Sequence, residues 1–161
     1  MAKYKPLNIE ELQSLEKEFV EFLVINGMMQ DDWIKMKDED PIGAQKMTEL
    51  FSDVVWESIL RNTKYLDFRS AHSIKCFQCL DDKIILVGLD SSETDMSTSV
   101  FAALQTQDFP DDVVAFTTEK KYNKVRELEI FEMLDWGCEI SEGQLFRELC
   151  LALQLYIIAC A

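Results

Sequence analysis

The chain has 161 residues, of which 48% are apolar and 11% aromatic, and this composition excludes an intrinsically disordered protein. Thirty acidic side chains against 16 basic ones give a formal net charge of −14, which excludes direct binding of nucleic acid by positive charge. The same charge excludes electrostatic attraction to an anionic membrane surface. The length suits a single domain over residues 1–161.

Three helices are predicted in the first sixty residues. Asn8 and Glu11 have the spacing of a capping box, and the apolar residues behind them follow helical spacing until Gly27. The acidic pair Asp31–Asp32 opens a short second helix, because acidic side chains favour the positive end of a helix. Asp40 and the proline after it predict the start of a long third helix.

The pattern changes to strands in the middle of the chain. Cys76–Leu80 and Ile84–Gly88 predict an antiparallel hairpin around the turn at residues 81–83, and Val113–Phe116 predicts a further short strand. Tyr65–Arg69 is short and mixed in character, so no element is assigned to it.

Helical spacing returns at Tyr122–Trp136, where Gly137 is the expected end, and a second capping box at Ser141–Gln144 predicts the last helix. The order predicts an α+β fold with a helical N-terminal half of three helices, a small antiparallel sheet and two C-terminal helices. The apolar segment Leu149–Ala161 is too short to cross a bilayer, and it predicts a buried helix or a homo-oligomer contact.

The cysteines allow two interpretations. The chain has five cysteines and its first residues lack the apolar core of a secretion signal, so we expect a cytoplasmic protein with reduced thiols. His72, Cys76, Cys79 and Cys138 are candidate zinc ligands. The alternative is that the cysteines pack as small apolar residues, since residues three apart on a strand face opposite sides.

Two further patterns carry possible chemistry. Asp90, Ser92 and Thr94 follow an apolar strand with the DxSxT spacing of a metal-ion-dependent adhesion site, whose oxygens suit Mg²⁺. The alternative is a polar loop with a helix N-cap within Ser91–Thr94. His72 with Cys76 or Cys79 is a candidate thiol–imidazole pair. Together these residues define the alternative function, a small metal- or thiol-dependent enzyme.

Other catalytic signatures are missing from the sequence. The five glycines do not form a phosphate-binding loop, and a single histidine excludes a two-histidine metal motif within the chain. The GxSxG elbow of acyl-transfer enzymes is also missing. We therefore expect a non-enzymatic protein with no catalytic residue and no cofactor.

Five separated segments carry a family resemblance: Glu10–Leu23, Asp32–Lys37, Leu50–Leu60, Tyr65–Ser70 and Glu129–Leu149. In their order and spacing, the chain resembles a domain-of-unknown-function family of small acidic cytoplasmic proteins from Bacteroidota. The resemblance is weakest over residues 90–116. It implies a single-domain, non-secreted protein and brings no activity, ligand or functional residue with it.

The acidic side chains are concentrated in one interval. Between Lys83 and Lys120 the chain has no basic residue and seven acidic ones, so a negative potential should form over the loops there. The candidate interaction residues are Asp90, Glu93, Asp95, Asp108, Asp111 and Asp112. The leading hypothesis is protein–protein interaction with a basic partner through this acidic face. A nucleic-acid mimic that binds a basic protein is the third hypothesis, and solvated loops that maintain solubility are the simplest alternative.

Overall fold

The computed structural model describes residues 2–154 and has helices before, within and after a five-stranded sheet. The helices are α1 (Ile9–Ser14), α2 (Glu16–Ile25), α3 (Gln30–Glu39), α4 (Pro41–Asn62), α5 (Met96–Thr106), α6 (Arg126–Asp135) and α7 (Gln144–Ala152). The strands are β1 (Tyr65–Arg69), β2 (Ser73–Cys79), β3 (Lys83–Ser91), β4 (Val113–Lys121) and β5 (Glu139–Ser141). The predicted α+β class is confirmed.

The chain divides into two compact units, with the boundary between Arg61 and Asn62. A single domain over residues 1–161 stays a prediction. The predicted homo-oligomer contact in Leu149–Ala161 falls largely on residues 155–161, which lie outside the described residues.

The first unit is helical, and the caps of α1 and α4 are the ones that the sequence predicts. The predicted second helix, α3, begins at Gln30, one residue before Asp31. Asn8 Oδ1 accepts a hydrogen bond from the Glu11 amide at 2.9 Å, and the Asn8 amide donates to Glu11 Oε2 at 2.8 Å. Asp40 Oδ1 accepts from the Gly43 amide at 3.0 Å, where α4 begins. The cap at Asn8 is therefore a complete capping box, and both predicted starts are confirmed.

The first predicted helix is in fact two helices. The Ser14 hydroxyl donates to the Glu11 carbonyl at 2.7 Å, and the Leu15 amide bonds to the Leu12 carbonyl, three residues back. Leu15 has φ −110° and ψ 24°, so α1 ends there and α2 begins one residue later. A serine side chain that competes for a helix carbonyl and a tightened last turn explain the break.

Aromatic side chains pack three of these helices together. The ring of Phe51 on α4 lies 5.0 Å from that of Phe19 and 5.4 Å from that of Phe22, both on α2. Trp33 on α3 meets Phe19 edge-on at 5.2 Å. The buried Phe51 therefore joins α2 to α4, as its helical spacing predicts.

The second unit contains the antiparallel sheet, with strand order β4-β3-β2-β1-β5. The predicted hairpin is confirmed, because β2 and β3 pair around residues 80–82 with Cys79 opposite Ile84. Val113–Phe116 is the first part of β4, which continues to Lys121. β1 and β5 are elements that the sequence did not predict, and α5 is the helix that only the capping alternative allowed.

One face of the sheet is covered by α5 and α7. Val87 and Leu89 are two residues apart on β3, so both point toward this face. They are buried there with Met96 of α5 and with Phe146 and Leu149 of α7. This cluster is the core of the second unit, and it includes Leu149 and Cys150, the first two residues of the apolar segment Leu149–Ala161.

Two predictions about the last helices need correction. Ser141 does not cap α7, because it ends β5 opposite Tyr65, and α7 begins only at Gln144. Gly143 at φ 79° precedes the helix, and a Cβ there would lie 2.5 Å from the Tyr65 ring. α6 begins at Arg126 rather than at Tyr122, and it ends as predicted before Gly137, which has φ 106°.

Candidate functional site

The six candidate interaction residues lie at the end of β3 and in the loops on either side of α5. Asp90 is near the end of β3, and Glu93 and Asp95 lie between β3 and α5. The other three, Asp108, Asp111 and Asp112, lie between α5 and β4. Residues far apart in the sequence thus occupy two loops that flank one helix.

Asp112 holds these two loops together. Its Oδ2 accepts the amides of Glu93 at 2.9 Å and Thr94 at 2.8 Å, and its Oδ1 accepts the Thr94 hydroxyl. These hydrogen bonds lower the pKa of the Asp112 carboxyl to about 2, so it is ionised at neutral pH. Glu93 therefore lies beside the loop that carries Asp111.

Two more of the acidic residues have structural partners. Asp95 is the N-cap of α5 and accepts the Ser97 amide at 2.9 Å, and hydrogen bonds from Ser97 lower the pKa of the Asp95 carboxyl. Asp90 Oδ1 accepts the Ser73 hydroxyl at 2.6 Å. The helix cap that the sequence allowed within Ser91–Thr94 is in fact the next residue, Asp95.

The remaining three acidic side chains face solvent. Glu93, Asp108 and Asp111 are exposed, and within residues 2–154 their carboxylates have no hydrogen bond or ion pair. Asp90, Asp95 and Asp112 thus stabilise the loops through hydrogen bonds. Glu93, Asp108 and Asp111 contribute negative charge at the surface.

Two of the three residues of the DxSxT pattern bind other protein groups through their side-chain oxygens. Thr94 donates to Asp112 and Asp90 accepts from Ser73. Beside them, the hydroxyl of Ser91, which is outside the pattern, donates to the Thr94 carbonyl. Among the described residues, no three His, Cys, Asp or Glu side chains come together as a candidate metal site. The geometry thus fits the alternative of a polar loop that caps a helix.

The zinc and thiol candidates are also separated. His72 Nδ1 lies 3.3 Å from Ser91 Oγ and 3.2 Å from the Thr94 carbonyl oxygen. Cys76 pairs with Val87 and belongs to the core under α5 and α7, whereas Cys79 is on the opposite face of β2. The structure does not bring His72, Cys76 and Cys79 to one point.

Burial makes the thiols poor nucleophiles. It raises the pKa of the Cys76 thiol, with a further contribution from the neighbouring Asp67, and it raises the pKa of Cys79 to about 12. The pKa of Cys138 is raised by burial as well. Since the thiolate is the reactive form, the geometry gives no support to a thiol–imidazole pair.

Sequence reasoning missed a cavity of about 250 Å³ on the other face of the sheet, beneath α6. Its lining combines residues of three strands with Glu129, Glu132 and Met133 of α6 and with Trp136, which directly follows α6. The only sequence signal was the helical spacing of those four positions, which places them on one face of α6.

Within residues 2–154, no helix combines the length and apolar character that a bilayer span requires.

Comparison with known families assigns the chain without assigning an activity. The model of DUF6495, described as a family of unknown function, matches residues 1–154. The chain therefore belongs to this family, and the resemblance to a family of unknown function is confirmed. No curated protein and no solved structure matches the chain.

Proposed function

We propose that this member of the DUF6495 family is a non-enzymatic cytoplasmic protein that binds a basic protein partner. The binding surface is the acidic surface formed by Asp90, Glu93, Asp95, Asp108, Asp111 and Asp112. The observation that carries the proposal is the triple hydrogen bond at Asp112, which ties the loop of Glu93 to the loop of Asp111.

The charge of this surface supports the proposal. The interval between Lys83 and Lys120 contains no lysine or arginine, so no cation within it neutralises the six carboxylates. Hydrogen bonds lower the pKa values of Asp95 and Asp112, so both carboxyls keep their charge to a lower pH than an ordinary aspartate does. Complementary charge of this kind speeds association and orients a basic partner. The electrostatic attraction weakens as the salt concentration rises, because salt screens exposed charges.

A charge-reversal variant tests the proposal without disturbing the loops. The variant combines three substitutions, Glu93→Lys, Asp108→Lys and Asp111→Lys. It leaves the carboxylates of Asp90, Asp95 and Asp112, which bond to the loops, in place. The matched control is Glu21→Lys, Asp38→Lys and Glu39→Lys, three exposed acidic residues of α2 and α3 with the same change in net charge. Both variants and the unmodified chain are used as bait in extracts of the native cell at low and high salt.

The expected result is a basic protein that the unmodified chain and the control recover at low salt. The charge-reversal variant and the high-salt wash should both lose it. Equal recovery with the charge-reversal variant contradicts the proposal. If duplex DNA or RNA displaces the same partner, the surface acts as a nucleic-acid mimic.

A further inference from the structure

β4 is the outermost strand at one edge of the sheet. Over Val113–Lys121, all of which the structure describes, it pairs only with β3, in an unbroken register without a bulge, and it contains no proline. The strand at the opposite edge, β5, has only three residues. Proteins usually protect a sheet edge by a short strand, a proline or a bulge, and β4 is long and regular. This edge is therefore open to a further strand.

The register shows which backbone groups of β4 are free. The Ser91 amide donates to the opposing His72 carbonyl at 2.9 Å, so the odd-numbered residues of β3 bond to β2. Backbone groups point alternately to the two sides of a strand, so the even-numbered residues of β3 bond to the even-numbered residues of β4. The amides and carbonyls of Ala115, Thr117 and Glu119 consequently point away from the sheet, and all three residues are exposed.

The two ends of β4 carry opposite charges. Residues 111 and 112, which directly precede the strand, are both aspartate, and residues 120 and 121, which end it, are both lysine. When β4 pairs antiparallel with β4 of a second copy, one register places Lys121 opposite Asp111 and also places Lys120 opposite Asp112. Because the contact is symmetric, each pairing occurs twice. Opposite charges that face each other across paired strands stabilise the pairing.

The same register satisfies the free backbone groups. It places Ala115 of one copy opposite Thr117 of the other, and both residues have their amides and carbonyls on the free edge, so they form hydrogen-bonded pairs. Phe116 then lies opposite Phe116 of the second copy, on the two-fold axis. A shift by two residues in either direction keeps the faces of the sheets aligned but separates the lysines from the aspartates.

Lys121 and Asp111 are available for this contact. Both side chains are exposed, and within residues 2–154 neither has a hydrogen bond or an ion pair. We propose that two copies of this chain associate through β4 in this register and form one continuous antiparallel sheet. The partner is a second copy because the charges of the strand complement themselves. The proposal does not rest on the binding of a basic protein.

A proline at the edge tests the backbone contact. Sedimentation equilibrium on the full chain should show a species with the mass of two chains of 18.7 kDa, and its share should rise with concentration. Ala115→Pro removes an outward amide at a place where an edge strand tolerates proline, and it should raise the dissociation constant at least about tenfold. The control, Ala115→Thr, keeps the amide and should stay within about twofold of the unmodified chain. Neither variant changes the acidic surface.

Two charge variants test the register. Asp111→Lys and Lys121→Asp each place like charges opposite each other at both ends of the dimer, so each alone should weaken association at least about tenfold. An equimolar mixture of the two variants should recover association, because opposite charges face each other at both ends of the mixed dimer. The control, Asp38→Lys, makes the same change in net charge on α3 and should not weaken association.

Three outcomes would overturn the inference. One is a species with the mass of one chain at about 1 mM, where a dissociation constant of about 0.1 mM would already make most chains dimeric. Another is a dimer that Ala115→Pro leaves unchanged, since its contact would lie elsewhere. The third is a mixture of the two charge variants that associates no better than either variant alone. If Ala115→Pro does not fold, the charge variants still decide.

Discussion

Gly88→Ala perturbs the centre of the sheet at a position where the structure leaves no room for a methyl group. Gly88 lies in β3 opposite Phe116 of β4, and a Cβ on Gly88 would lie 2.4 Å from Cζ of the Phe116 ring. Ordinary contacts of a Cβ begin at 3.4 Å, so the ring would have to retreat by about 1 Å. The φ of Gly88 is not positive, so the clash is steric and not conformational.

The cost depends on how far the Phe116 ring, which is half-buried on the edge strand β4, can retreat. Forcing an extra methyl group into a fully packed site destabilises a protein by about 1–3 kcal/mol, and this range bounds the cost at Gly88. For a chain of this length, each kcal/mol lowers the Tm by roughly 2–4 °C. We therefore expect Gly88→Ala to lower the Tm by about 2–12 °C in differential scanning calorimetry, with a matching fall in the urea midpoint.

A double-mutant cycle identifies the ring as the cause. Phe116→Leu makes space above Gly88, so in its presence Gly88→Ala should cost at least about 1 kcal/mol less than it does alone. An unchanged Tm for Gly88→Ala, or additive effects of the two substitutions, would refute the packing that the structure assigns to this face.

Three more predictions concern single residues. Gly27→Ala and Gly143→Ala both place alanine at a φ near +80°, which costs about 1–2 kcal/mol of stability. Gly143→Ala should lower the Tm further, because only the Cβ at position 143 would meet the Tyr65 ring. Equal Tm shifts for the two variants would contradict this. Asp112 has a pKa of about 2, below its ordinary 3.8, so its contribution to stability is present above about pH 4 and is lost as the pH falls toward 2. The difference in urea midpoint between the unmodified chain and Asp112→Asn should therefore shrink over that range, and a constant difference would be evidence against the hydrogen bonds at Asp112. Cys79 should resist iodoacetamide at about pH 8 in the folded chain and react in urea, as peptide mass spectrometry can measure, and rapid labelling of the folded chain would show that Cys79 is accessible.

The starts of the first helices could be predicted because their signals are local. Asn8 and Glu11 are three residues apart, and Asp40 directly precedes a proline. The residues that form each cap are therefore close neighbours along the chain, and the pattern is visible in a short stretch of sequence. Ser141 has the same kind of spacing, but it pairs with Tyr65 across the sheet, and this long-range pairing decides where α7 begins. A capping pattern thus predicts a helix only where no strand competes for it.

β1 could not be predicted because its sequence does not look like a buried strand. Its five residues include Asp67, which is 7% exposed, and Arg69, whose guanidinium lies 3.5 Å from that carboxylate. β2 on one side and β5 on the other hold the strand, and neither pairing can be read from residues 65–69 alone.

The candidate sites also combine features that a local stretch of sequence shows with features that depend on long-range packing. The concentration of acidic residues was visible in the sequence, whereas the bond from Asp112 to the loop of Glu93 depends on how two loops close around α5. The cavity beneath α6 combines Leu86 with Glu129, and strand register together with helix position brings them to one place. Register of that kind cannot be seen in any single segment.

Site-specific photo-crosslinking in the native cell tests the central claim most directly. A photoreactive residue in place of Asp108 reports on the acidic surface, and one in place of Asp38 on α3 reports on an exposed acidic position elsewhere. We expect the probe at Asp108 to capture a protein of net positive charge and the probe at Asp38 not to capture it. We also expect that irradiation of a lysate at raised salt gives much less of this product than irradiation at low salt. The same products from both positions, or a product at Asp108 that salt leaves unchanged, would contradict the account.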